Sequence, residues 1–339
     1  MPRYLTGLIT TDYWHFPKFP YSADQWSLHL ARTAKSKRCV ESIAGPRERN
    51  RLVVGREVVI EAKHALSARR AAFTIQAAAQ VLDGSAFLSW WGGAVIELQE
   101  IGGRRREDAE HETNSDKGAM CSRPNIPIEC MVAVKAVRRR NWVYALSKLW
   151  LSYQIHSVAG IDLDPAHSET IPKSTHPIDH VSCATAIVLA YSTIEELGLE
   201  VRANMKQPSK INGAWNPAVK QELEGRLKAA GVDPREPYNW NVRGPRTRLE
   251  REHPPIALKR SPWARWDVRD KEVEIVDAIA HASWLRSRVS AHRLKYELAR
   301  VLSVYDVANV QYLARRLMLE SISLRRIWPK YYENPSLYD

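Results

Sequence analysis

Apolar positions recur at helical spacing along most of this chain. After Pro46, a favoured first-turn residue, Leu52, Val59, Leu66 and Phe73 return every seven positions until Asp83-Gly84 interrupts them, which predicts one long amphipathic helix. A second helix is expected from about Pro127 to Ala159, with Val143, Leu146, Trp150 and Tyr153 on one buried stripe. Ala184, Ile187, Tyr191, Ile194 and Val201 mark a third, with Glu195, Glu196 and Glu200 set among them. A shorter helix follows, capped by Asn216, opened by Pro217, carried by Leu223 and Leu227 and ended at Gly231. An asparagine side chain accepts from the free first-turn amides, and a glycine tolerates the left-handed exit. The last two helices are expected over about 270–302 and 306–327, the latter with Val310, Leu313, Leu317 and Leu324 inward and Pro329 closing it.

The intervening stretches are polar or rich in proline. Residues 1–45 mix Tyr13, Trp14, Phe16, Phe19 and Trp26 with turn formers, give no clean period, and are assigned no element. Residues 102–125 are polar and of mixed charge, which reads as an exposed loop. Pro165, Pro172 and Pro177 break the periodicity between Asp162 and Asp179, and a domain boundary is placed at 172. Pro234, Pro237, Pro245, Pro254, Pro255 and Pro262 exclude a regular helix over 232–269, where Trp240, Trp263 and Trp266 mark an irregular insertion that still packs. Few segments alternate at period two. The expected fold class is therefore all-α, with an N-terminal helical domain over 1–172 and a helical bundle carrying the proline-rich insertion over 173–339.

Composition adds compartment and partner. A chain of 339 residues with 45% hydrophobic and 26% charged content is long enough for two cores and too apolar to stay unfolded. Cys39, Cys121, Cys130 and Cys183 show no CxxC spacing, so neither a zinc ribbon nor a redox dithiol is indicated, and reduced thiols in a cytoplasm are expected. The first thirty residues lack an export signal's apolar stretch, and the run Val181 to Ile194 is too short to cross a bilayer, so no membrane span and no membrane partner are expected. The net charge of +12 is gathered in clusters such as Arg104 to Arg106, Arg138 to Arg140, and Arg325-Arg326. Clustered guanidinium groups neutralise phosphates and release counterions, which points to a polyanion such as RNA, with Arg138, Arg139, Arg140, Arg288 and Arg293 as contacts. The plain alternative for any one cluster is a solvated helix face.

The candidate chemistry lies in "HASWLRSRVSAHRLKYELARVL". With Ile275 as origin, Ile279, Ala282 and Val289 fall within about 40° of one line, Arg286 about 20° from it and His292 about 100° to one side. A guanidinium on a buried stripe requires a carboxylate or an anion, because an unpaired charge there costs several kcal/mol. Glu195 or Glu196 fits that need, and the plain reading is then a salt bridge between two helices. His292 alone reads most simply as a packed core histidine. Arg106 with His111 and Arg248 with His253 repeat the spacing, but the first pair sits in the polar loop and the second runs into Pro254-Pro255.

Through "AIVLAYSTIEELGLE", "LRSRVSAHRL" and "YDVANVQYLARRLMLES", the chain resembles the HEPN superfamily over roughly residues 175 to 328. That superfamily comprises all-α nucleases and nucleotide-binding modules of bacterial toxins, phage defence and RNA processing. The resemblance implies that Arg286 and His292 are the catalytic pair, with Ser287 in the polar place after the arginine; apart from the resemblance, Glu195 or Glu196 is a candidate to orient either of them. It further implies a homodimer that cuts RNA without metal or cofactor, and an antitoxin or defence-complex protein as partner. Two features depart from the pattern. The proline-rich insertion is foreign to a minimal bundle, and Leu294 stands where some members carry a tyrosine modified by an AMP-transferring antitoxin.

The expected reaction is attack of a ribose 2′-hydroxyl on the adjacent phosphate, with His292 moving a proton near neutral pH and Arg286 stabilising phosphoryl charge. The products are a 2′,3′-cyclic phosphate and a 5′-hydroxyl. The alternatives are a non-catalytic HEPN-like module for dimerisation or nucleotide sensing, and a basic RNA- or DNA-binding protein without activity. Asp162, Asp164, His167, Glu169, His176, Asp179 and His180 are potential ligands, but the prolines among them deny a shared helix face, and no metal site is expected. Phosphate-binding glycine loops are absent.

Overall fold

A computed structural model describes residues 1–11, 20–23, 25–30, 55–83, 99–101, 126–156, 177–240, 271–290, 302 and 304–323. Helix predominates among them. The chain forms two compact units, one of Met1–Asp83 with Phe87–Leu146 and one of Gly84–Ala86 with Ser147–Asp339. The expected boundary at 172 lies outside the described residues.

Unit 1 departs from the helical expectation by carrying a five-stranded antiparallel sheet. Strands β1 (Arg3–Thr11), β2 (Tyr21–Ser22), β3 (Trp26–Leu30), β4 (Gly55–Ala62) and β5 (Gln99–Ile101) lie in the order β2-β3-β4-β1-β5. The seven-residue period that suggested a helix from residue 46 crosses Val58-Val59-Ile60. Three consecutive β-branched side chains lose rotamer freedom on a helix and pack well on a pleated surface, and all three are fully buried in β4. Tyr4 and Leu28 both stand opposite Ile60 and share its buried face.

Helix begins only after Lys63-His64, as α1 (Ala65–Asp83). Its buried side is Ala68, Ala71, Ala72, Ile75 and Ala78, small residues that let the helix approach its neighbours closely. Leu66 and Phe73, expected inward, face solvent at 60% and 40% exposure. Arg69 and Arg70 share their turn of the helix, and turning that side inward would bury two charges.

The expected helix over 127–159 is two, α2 (Ile126–Val137) and α3 (Arg140–Ile155), interrupted at Arg138-Arg139. On α3 the buried line runs through Trp142, Ala145, Leu146, Leu149, Ser152 and Tyr153. Leu146 and Tyr153 sit as expected, while Val143 and Trp150 lie at its margin.

Unit 2 is helix on helix with short ribbons. Its elements are the end of α3, α4 (Pro177–Glu196), β6 (Lys210–Ile211), β7 (Ala214–Trp215), α5 (Pro217–Ala229), β8 (Pro237–Trp240), β9 (Lys271–Glu274), α6 (Ile275–Ser290) and α7 (Val304–Ser321). Helix α4 packs on both α6 and α7. The core is Ile187, Ala190, Tyr191 and Ile194 of α4, Ile275, Ile279 and Ala282 of α6, and Val310, Leu313 and Leu317 of α7.

Helix α4 stops five residues before Val201. Gly198 takes φ +73°, Leu199 N–H returns to the Ile194 carbonyl at 3.0 Å and Gly198 N–H to that of Glu195 at 2.9 Å, a Schellman closure. Helix α5 follows its sequence signals: the Asn216 side chain accepts from Ala218 N–H at 3.2 Å, Pro217 opens it, and Gly231 at φ +82° closes it. Where one helix from residue 270 was expected, β9 comes first and pairs antiparallel with β8, closing the ends of the proline-rich stretch. Trp240 in β8 is fully buried, while Trp263 and Trp266 lie outside the described residues.

Candidate functional site

Helix α6 carries Arg286, and its position is set by how α6 meets α4. Asp277 in the first turn of α6 suits the positive end of the helix dipole. It accepts from Trp215 Nε1 at 2.7 Å and lies 3.6 Å from Lys210 Nζ, which anchors the β6-β7 ribbon to α6. Two successive turns then match along α4 and α6. Tyr191 shares a hydrogen bond with Ser283, and three residues further on, Arg286 Nη2 lies 3.4 Å from Glu195 Oε1. Tyr191 Oη also accepts from Val201 N–H at 3.4 Å, and burial pushes its phenol up to about 12.

The arginine is not sealed in. Its side chain is 41% exposed and that of Glu195 is 33% exposed, so the pair sits at the rim of the α4–α6 seam. Glu195 is steadied in turn by Ser192 Oγ, which donates to Oε2 at 3.0 Å. Glu196 faces elsewhere, accepting from Lys148 Nζ of α3 at 2.6 Å. One residue on a helix is a rotation of about 100°, and that rotation separates the two glutamates. His292 and Arg293 lie outside the described residues.

Ser287 is exposed and donates from Oγ to the Trp284 carbonyl of its own helix at 2.8 Å. Arg288 lies on a different side of α6 from Arg286, its guanidinium 5.7 Å from the Trp284 ring centre. Trp284 stacks at 5.2 Å on His281, which meets the buried Trp240 edge-on at 4.8 Å. This ladder from core to surface went unnoticed in the sequence, because its base comes from a strand about forty residues upstream of the helix.

The remaining expected RNA contacts belong to unit 1. Arg138 donates from Nη2 to the Ser22 carbonyl at 2.9 Å, and Arg139 stands 5.2 Å over the Trp142 ring; both are exposed. Arg140 is the first residue of α3. Of the residues weighed as metal ligands, Asp162 through His176 lie outside the described part, and among the described residues no group of three His, Cys, Asp or Glu is placed to hold a metal ion.

Unit 1 also gathers polar residues that the sequence did not single out. Ser27 and His29 alternate on β3, Glu61 lies opposite Ser27 on β4, and Arg3 lies opposite Glu61 on β1, so all four share one sheet face. Ser27 Oγ is 2.7 Å and Glu61 Oε2 is 3.4 Å from the same nitrogen of His29, Nε2, and Arg3 Nε is 3.0 Å from Glu61 Oε1. A nucleophile-base-acid relay needs the serine and the acid on opposite ring nitrogens. The cluster therefore reads as cross-strand pairing and not as a hydrolase site. Compared with known proteins, the chain matches no family model, no curated sequence and no solved structure.

Proposed function

We propose that the chain is a metal-independent endoribonuclease of HEPN type that acts as a homodimer and serves as a toxin or phage-defence effector. Arg286 holds the scissile phosphate and stabilises charge on its oxygens. His292 accepts the proton of the 2′-hydroxyl as the 2′-oxygen bonds to phosphorus. The P–O5′ bond breaks and His292 returns that proton to the leaving 5′-oxygen, giving a 2′,3′-cyclic phosphate and a 5′-hydroxyl. The observation that supports this reading is the partly exposed side chain of Arg286, set 3.4 Å from Glu195 at the rim of the α4–α6 seam. Glu195 serves as a positioning residue.

The same ion pair favours a second reading, a non-catalytic module for dimerisation or nucleotide sensing in which Arg286 and Glu195 are a strut between α4 and α6. Purified protein incubated with total RNA in the presence of a chelator separates the two. The nuclease reading expects cyclic-phosphate ends, reduced at least about 100-fold in Arg286→Ala and in His292→Ala. It also expects Glu195→Gln to cut more slowly without loss of folding. Cleavage that persists undiminished in both alanine variants, or that needs a divalent cation, removes the proposal. A wild type that never cuts, with Arg286→Ala merely less stable, leaves the strut.

A further inference from the structure

Helix α1 presents a face that none of the chemistry above uses. Lys63 and His64, just before the helix, and Ala65, Leu66, Arg69, Arg70 and Phe73 on it are all exposed, whereas positions 67, 68, 71, 72 and 74–78 are buried. The exposed positions recur at helical spacing, so they form one stripe about 10 Å long on a helix whose other side is in the core. Neither Arg69 nor Arg70 has a carboxylate partner among the described residues, and the first turn of α1 holds no acidic residue. Three positive charges thus flank an apolar side chain and an aromatic ring, with no carboxylate paired to them among the described residues.

We infer that this face of α1 is a docking surface for single-stranded RNA, with Lys63, Arg69 and Arg70 on the phosphates and Phe73 against a base. Charge complementarity selects a polyanion, since exposed guanidinium groups release counterions when they meet phosphates. The aromatic selects an unpaired strand, because only there is a base face free to stack. A membrane surface fits poorly. Beyond Phe73 the helix is buried on all sides that the structure describes, so the stripe ends too soon to lie along a bilayer. The inference rests on unit 1 alone and stands or falls independently of Arg286 and His292.

The test is fluorescence anisotropy of the full chain with a ~12-nucleotide uridine strand, 2′-O-methylated so that attack by a 2′-hydroxyl is impossible and binding is read whether or not the protein cuts RNA. Arg69→Gln with Arg70→Gln is expected to weaken binding about tenfold and to lower the slope of log affinity against log salt by about 1.4, the value for two lost phosphate contacts. Phe73→Ala is expected to weaken binding roughly fivefold or more with the salt slope unchanged, and to make no difference toward an abasic strand. All these residues are exposed, and circular dichroism confirms that the variants fold. Wild-type affinity in the double glutamine variant, or an unchanged salt slope, overturns the assignment. So does equal competition by a polyglutamate peptide of matched charge, which transfers the face to an acidic protein partner.

Discussion

The two units differ in how often their described cations meet a carboxylate. In unit 2, Arg202 and Arg226 pair with Glu200 and Glu222, Arg286 with Glu195, Arg316 with Glu236 and Glu320, and Lys220 with Glu224 and Glu274. In unit 1, Arg3 pairs with Glu61, but Arg138 and Arg139 lean on a carbonyl and a tryptophan, and Arg69 and Arg70 have no carboxylate among the described residues. A net charge of +12 therefore says little about where a polyanion binds. What counts is the charge left over after internal pairing, and part of that surplus lies on α1.

Unit 2 turns its polar groups inward, and alkali is the most drastic way to test that. Burial raises the phenols of Tyr153, Tyr191, Tyr238 and Tyr312, Tyr191 to about 12. The Tyr238 hydroxyl donates to the Asn309 carbonyl at 2.7 Å, a bond it loses on ionising. An unfolded tyrosine titrates near pH ~10, so the stability contributed by these protonated phenols is complete below that pH and is lost as pH rises through the folded values. Unit 2 is expected to unfold cooperatively above pH ~10, with phenolate absorbance appearing together with loss of helical circular dichroism. Phenolates that titrate gradually while the helix signal holds contradict the buried placement.

Next in size is the cost of breaking one inward pair. Arg316 is 11% exposed and joins three groups: Glu236 Oε2 at 2.9 Å, Glu320 Oε1 at 2.9 Å and the Pro237 carbonyl at 2.9 Å. Glu320 is itself only 5% exposed, so deleting the guanidinium takes a charge partner from a nearly buried carboxylate. Arg316→Ala is expected to cost about 3 kcal/mol in urea unfolding, the loss usual when one partner of a buried pair is removed. Deleting Arg286, at a rim where both side chains reach solvent, is expected to cost under about 1 kcal/mol. Equal losses at the two sites would erase the distinction between a buried ion pair and one at the rim.

How much of this was legible in the sequence follows from the range of the interactions involved. Helix α5 depends on Asn216, Pro217 and Gly231, which act within a turn of themselves, and it stands where the sequence places it. Ile187, Tyr191 and Ile194, and Val310, Leu313 and Leu317, repeat at 3.6 and are buried as expected. The sheet was not legible, because a strand is stabilised by partners distant in the chain. β1 pairs with β4, some fifty residues away, and β4 is hidden inside a period of seven. Periodicity also misjudged α1, where it put Leu66 and Phe73 inside; alanines, which carry weak apolar signal, mark the true inner side. For the site, sequence offered Glu195 and Glu196 to Arg286 without choosing between them. The choice needed the direction of α3, whose Lys148 takes Glu196.

The smallest effect is the sharpest for the comparison, because it gives α1 the carboxylate that Arg286 already has. Ala65 is exposed and opens α1, whose first turn has no acidic residue, and Arg69 lies four positions on. A carboxylate placed by Ala65→Glu meets the positive end of the helix dipole and precedes an arginine at the favourable i,i+4 spacing. Nothing packed is removed, so stability is expected to rise by about 0.5 kcal/mol, within the sum of those two contributions. The same change pairs Arg69 internally, and affinity for the uridine strand is expected to fall severalfold. A more stable protein that binds RNA less well separates the two uses of one guanidinium, holding the fold and holding a phosphate. A substitution that leaves binding intact shows that the cations of α1 face no polyanion, and that an exposed arginine without a carboxylate is only a solvated one.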